Sequence, residues 1–379
     1  MRKKLLPTSI VGLIFCLMST GCWGQQEIDK RTMIVALAID KNPEEADGIE
    51  LTMQVAIPQK IVGGGGESGG GGGGDGVTEI FSGRGTHLSE AVEEIQKQTN
   101  YPLFFGHTQT LLVGEEVARS LPAEFYDYLR RNPELRRRLW PIVVQGKAKN
   151  AIQVKTQLEQ IPTLYLRDMI DTNVKRGRLP DISLGDIYVR RGNVPYQVPA
   201  LHYIGAKDKT FEVMGLAIYK GENMVGSLGQ ELSSILLNVV NEKPGWAIST
   251  DCPDGAKGEV SLWPMKVKRE IEISDDPAVD MRLHIKGRLI ERGCKLDLSE
   301  LAVTNQVEKA FIEKYEKLAQ TLVKKAQTEF HSDVFDLRQR IYAYQHDLYE
   351  KYDWNEKINE IPIRIQYDVT IERMGLEAK

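Results

Sequence analysis

Cysteine is scarce in this sequence, with four residues among 379. A chain of that length with so few thiols is not a disulfide-stapled module, and it is long enough for two or three domains with cores of their own. Histidine is scarce as well, and positions 87, 107, 202, 284, 331 and 346 show no metal-ligand spacing. HExxH, CxxC and Walker A patterns are missing, so catalysis has no visible carrier and neither a metal nor a cofactor is expected. An excess of positive charge is lacking too: 49 Lys and Arg stand against 53 Asp and Glu, a net charge of −4, which makes nucleic acid an unlikely partner class. With 41% hydrophobic and 27% charged residues the chain is neither a polytopic membrane protein nor wholly disordered.

One long uncharged run does occur, and it stands at the start. Arg2, Lys3 and Lys4 precede Leu5 to Gly21, of which Leu5 to Met18 is strongly apolar, the pattern of an export signal over residues 1–21. The run is short for a hydrocarbon core, which needs about 20 apolar residues. It closes in Ser19-Thr20-Gly21-Cys22, small residues leading into a thiol, as in the lipobox of bacterial lipoproteins. Cleavage after Gly21 would leave Cys22 as a lipidated N-terminus; the alternative is an uncleaved anchor with an ordinary thiol. Loss of the leader removes three basic residues and no acid, so the mature charge falls to −7. Two acyl chains, at about 0.8 kcal/mol per buried CH₂, hold such a body stably. Nine residues separate Cys22 from the strand-like run at Thr32, a reach of about 30 Å at full extension, so the first domain sits close to the bilayer.

Thr32 to Asp40 and Leu51 to Ile57 read as neighbouring strands, and Val77 to Phe81 as a third. Between them Gly63 to Gly76 holds eleven glycines, with no Lys-Ser/Thr or helix start to cradle a phosphate, so 61–77 is expected to be a disordered excursion without a ligand. Thr86 is expected to cap a helix through Leu88, Val92 and Ile95. Glu115 to Arg131 reads as one further helix, and Trp140 to Val144 as a strand. Pro162 to Pro199, rich in Pro, Gly and Arg, reads as a surface connection. Residues 211–228 form a hairpin pattern about Gly221-Glu222-Asn223, followed by a helix over Glu231 to Val240. Val260 to Ile273 and Met281 to Ile290 alternate as antiparallel strands about Asp275-Asp276-Pro277. Val307, Phe311, Leu318, Leu322 and Ala326 mark a long amphipathic helix, with a second helical stretch from Val334 to Tyr352. Ile361 to Ile371 alternates strictly and should return to the 281–290 strand under that long helix.

The fold class expected is α+β, multi-domain, with mixed sheets and helices packed on them. The domains expected are an N-terminal α/β domain over 32–200 after a lipidated tether at 22–31, a middle α/β domain over 201–275, and a C-terminal α+β domain over 276–379. His107, in an apolar stretch, reads as a hydrogen-bonded structural histidine. Arg130, Arg131, Arg136, Arg137 and Arg138 form the densest basic cluster; headgroups or an acidic partner could meet it, but a solvated helix end and turn is the plainer reading. Once Cys16 leaves with the signal and Cys22 is lipidated, Cys252 and Cys294 remain. They could pair, though one spare pair in a large domain favours two separate buried thiols.

Cys22-Trp23 with Glu27-Ile28 and the "IVALAID" run at 34–40 resembles the start of spore germinant receptor C subunits, the Ger(x)C family. "LFFGHTQTLLVGEEVAR" (103–119), "RNPELR" (131–136), "GLAIYKGENMVGSL" (215–228), "KAQTEFHSDVFDL" (325–337) and "RIQYDVTIERMGL" (364–376) are similar to that family's segments, in its order. The resemblance implies a non-enzymatic lipoprotein on the outer face of the spore inner membrane, built from three α/β or α+β domains. It implies assembly with an A subunit and a polytopic B subunit, to couple nutrient binding to the end of dormancy. It carries over no ligand residue beyond Cys22. A lipid-anchored solute-binding protein is the other reading that export and an α/β body allow.

Overall fold

The computed structural model describes residues 30–45, 48–57, 76–120, 125–156, 158–192, 197–207, 209–295, 297–298 and 300–373. Gly21, Cys22 and nearly all of the glycine tract lie outside them. Within them the chain builds two mixed sheets and the helices between and around them.

The first sheet grows around β1 (Thr32–Lys41), which is buried on both faces. Its larger residues Ile34, Leu37 and Ile39 enter one core, and its alanines Ala36 and Ala38 the other, where small side chains let helices approach closely. β2 (Ile49–Ala56) pairs antiparallel on one side of β1, as the alternation predicts, and β3 (Thr78–Gly85) pairs antiparallel with β2. On the other side run the short β4 (Leu103–Phe104) and β5 (Thr110–Gly114), then β6 (Pro141–Val144), all parallel. Helix α1 (Leu88–Gln96) covers β3 with Leu88, Ala91 and Ile95. Thr86 does not cap it; the Glu90 carboxylate reaches back to accept from the Thr86 N–H at 2.8 Å. The single helix expected over 115–131 is instead α2 (Glu115–Arg119) and α3 (Phe125–Arg131), since α2 ends at Ser120 in a non-helical conformation.

The sheet does not close at residue 200. β7 (Leu201–Lys207) pairs parallel with β6, and β8 (Thr210–Lys220) and β9 (Asn223–Leu228) extend it antiparallel. The expected middle unit at 201–275 is therefore shared between sheets: its first three strands complete the N-terminal one, and its last two belong to the other. The physical reason lies in the connection. Parallel neighbours need a crossover of a dozen or more residues, and 145–200 supplies it with α4 (Ala148–Ile152), α5 (Pro162–Lys175) and α6 (Leu184–Arg191). Pro162 is not a breaker here. It occupies the first turn of α5, where its missing N–H costs nothing.

The second sheet has the order β10 (Ile248–Asp251), β11 (Glu259–Ile273), β12 (Val279–Arg292), β13 (Ile363–Arg373). β13 runs parallel to β12, and α8 (Leu301–Lys325) lies on it, burying Val307, Phe311, Tyr315, Ala319 and Leu322. Helix α7 (Gln230–Asn241) contacts β8 on one side and α8 on the other, so one continuous apolar core runs from Ala36 to Ile371. Among the described residues no helix is long and apolar enough to cross a membrane.

Candidate functional site

The segments most distinctive in sequence meet one another in space. Phe105 N–H donates to Glu134 Oε2 at 2.8 Å, which joins 103–119 to 131–136. Tyr367 N–H reaches Glu316 Oε1 at 3.3 Å, which fastens β13 to α8. The most elaborate meeting joins the β8–β9 hairpin to the chain after α8.

There the helix widens into a π-turn, Ala326–Phe330, and stops at His331, whose φ of 46° is left-handed. Asp336 is left-handed too, at φ 61°. Two such residues other than glycine within six positions mark a conformation that its surroundings hold in place. Phe330 packs against Gly226 of β9, where a Cβ would stand 2.5 Å from the ring. Ser332 Oγ donates to the Tyr219 carbonyl of β8 at 2.5 Å, and Gln197 Nε2 donates to Ser332 Oγ and to the Asp333 carbonyl, both at 3.1 Å. Arg190 at the end of α6 grips Asp336 through two bonds of 3.0 Å, a bidentate pair.

Behind this pair Asp333 is buried. Its carboxylate accepts from Leu337 N–H at 2.9 Å and Arg338 N–H at 2.7 Å, opening α9 (Leu337–Tyr344). Arg338, buried as well, brings Nε within 3.5 Å of Asp333 and gives its other nitrogens to Gln197 and Asn355. Burial pushes the Asp333 carboxyl up from the usual carboxylate range; the two amides and the guanidinium oppose that. A cavity of about 50 Å³ lies alongside, lined by Pro180, Val198, Leu216, Leu237 and Val334, with room for a few water molecules. No nucleophile is paired with a base here. The chemistry is that of a polar latch between the two sheets.

The remaining residues singled out in the sequence fall elsewhere. Cys252 and Cys294 are joined in a disulfide, where the composition had favoured separate thiols. Cys252 follows β10 and Cys294 follows β12, so the bond passes across the end of β11 that lies between them. Arg130, Arg131, Arg136, Arg137 and Arg138 are all exposed, with Arg131 in an i,i+4 pair to Asp127. His107 is not a buried structural histidine: it is exposed in a 3-10 turn, edge-on to Phe104. That role belongs to His202, which no pattern in the sequence singles out.

His202 is 1% exposed at the start of β7, with Nε2 donating to the Pro180 carbonyl at 2.7 Å. Burial lowers its pKa to about 4, against the opposing pull of that carbonyl and of Asp181. Below the unfolded value of about 6.5 the unfolded chain takes up a proton that the folded one refuses. Stability should therefore fall as pH drops from about 6.5 to 4, by about 3 kcal/mol in all. Urea unfolding of wild type and His202→Gln at pH 7 and pH 4.5 checks this: the variant keeps an N–H donor and should lose that part of the pH slope, and equal slopes refute it.

Comparison with known proteins bears on the whole chain. Residues 24–206 match the family described as "Spore germination protein N-terminal domain", and 214–375 match "Spore germination B3/ GerAC like, C-terminal". A candidate spore germination protein of Bacillus subtilis (strain 168), YfkR, is 25% identical over 99% of this chain and 98% of its own. Spore germination protein KC of the same organism is 23% identical over 99% and 97%. The crystal structure of the GerBC protein superposes with a TM-score of 0.57 at 20% identity, covering 89% of this chain and 96% of that one, and shares its fold.

Proposed function

The chain belongs to the GerAC-like spore germination family, and on that premise we propose that it is the lipid-anchored C subunit of a nutrient germinant receptor, acting by assembly with A and B membrane subunits. The observation that carries this reading is the end-to-end match: the relatives align over nearly their full lengths, so the likeness takes in both matched domains. Ser19-Thr20-Gly21-Cys22 supports the anchor, on the extracytoplasmic face of the spore inner membrane. The junction cavity is small against the roughly 300 Å³ or more of a small-molecule site, so solute capture is not expected at that place.

Two measurements test it. Cys22→Ala should release the protein from the spore membrane and weaken nutrient-triggered germination; full retention at unchanged receptor level would count against the anchor. Affinity purification from detergent-solubilised spore membranes should return two membrane partners in near-equal amount, at least one polytopic. A transporter permease and ATPase would transfer the weight to a solute-binding role.

A further inference from the structure

We propose that the edge of the first sheet at which β1 begins is a membrane-facing surface that takes anionic lipid headgroups through Arg136, Arg137 and Arg138; this rests on the lipid-anchor reading above.

The parallel strands β1, β4, β5, β6 and β7 fix that edge. Thr32 pairs with Leu103, Leu111 with Pro141, and Ile142 with His202, so all five strands start on one side of the sheet. The chain arrives from Cys22 at this side: Thr32 is held by its N–H on the Pro102 carbonyl and its Oγ1 on the Tyr101 carbonyl. Three residues past Pro102, Phe105 N–H is bonded to Glu134, and Arg136 follows two residues after Glu134. Chain entry and arginine cluster are therefore neighbours. Nine residues of tether, about 30 Å at most, keep this edge within reach of the bilayer.

Charge points the same way. The acids around the edge are already engaged: Glu134 by Phe105 N–H, Asp181 by the Trp140 indole at 2.9 Å, Asp168 by Arg167, and Asp171 by Lys175. The side chains of Arg136, Arg137 and Arg138 are exposed. The mature body carries −7 overall and is repelled by an anionic leaflet, so it lowers its energy by turning this basic edge toward the lipid and its acidic remainder away. Surface charges act over a Debye length of about 8 Å, and the tether is short enough to let the edge come within that range. Tyr101 beside the chain entry and Trp140 beside the arginines, both partly exposed, suit the headgroup layer, where amphipathic rings are at home.

The test uses the processed, acylated protein reconstituted in vesicles of phosphatidylcholine alone or with phosphatidylglycerol. Acylation of Cys22 is read by mass spectrometry, and amide hydrogen exchange is followed at 104–109 and 136–140. Each arginine adds about five-fold to attraction by an anionic surface, so three together shift the orientation about a hundred-fold. Exchange at these amides should be slowed about ten-fold or more with phosphatidylglycerol, relieved by salt, and unslowed in Arg136→Gln/Arg137→Gln/Arg138→Gln, which stays acylated, membrane-held and unchanged in melting temperature. Acylated, membrane-held protein whose exchange is the same in both lipids overturns the headgroup assignment and leaves the anchor standing. Protection that appears only when receptor partners are added assigns the edge to an acidic protein and also overturns it. Absence of an acyl group on Cys22 removes the anchor reading, and the proposal with it.

Discussion

Replacing Cys252 and Cys294 by serine together should lower the free energy of unfolding by about 4 kcal/mol, the loop-closure entropy of a 42-residue separation. The effect acts on the unfolded chain, where the bond removes freedom, because the folded ends are already held. Cys252 N–H bonds to the Gly258 carbonyl at 3.0 Å and Gly293 N–H to the Glu259 carbonyl at 2.7 Å, so both cysteines flank the start of β11 with or without a covalent link. Urea titration of wild type, of wild type with reductant, and of the double variant should give one high midpoint and two coincident lower ones. Three coincident curves would mean that the bond adds nothing to stability.

Arg338→Ala should cost a further 3 to 5 kcal/mol by the usual scale for breaking a buried ion pair, about as much as losing the disulfide. The guanidinium is buried with Asp333 and is also the donor to Gln197 and Asn355. Its removal leaves the buried Asp333 carboxylate with two backbone amides and no counter-charge, and takes a donor from the Gln197 and Asn355 oxygens. Arg338→Lys should recover little, since one ammonium cannot serve a fork of three directions. By contrast Arg190→Ala, at the more exposed Asp336 pair, should cost about 1 kcal/mol. Equilibrium unfolding of the three variants orders them; equal losses for Arg338→Ala and Arg190→Ala would refute the distinction.

Much of the fold was legible because it is local. Strict alternation from Ile363 to Ile371 specified β13, and the Gly221-Glu222-Asn223 turn specified the β8–β9 hairpin. What escaped is non-local or disguised. Pro162 and the glycines and arginines after it look like breakers, yet they head and cap helices; misreading them hid the crossover, and with it the continuation of the first sheet through 201–228. The latch is harder still, since Arg190 and Asp336 stand 146 residues apart and Gln197 and Ser332 stand 135 apart, with no pattern linking them. The disulfide was within reach. With Val260 opposite Arg292, the β11–β12 register extends to place 258 opposite Cys294, and Asp251 opposite Glu259 brings Cys252 to the same place.

The parallel pairing of β6 with β7 has a consequence in time. Val144 leaves the ribosome well before Leu201, and at about 5 to 20 residues per second the nascent sheet waits several seconds with the β6 edge bare. An unpaired edge of Pro141–Val144, buried in the finished fold, is an aggregation hazard for as long as it lasts. Slower translation lengthens that wait, so yield should be sensitive to elongation rate between residues 145 and 228 and indifferent to it afterwards.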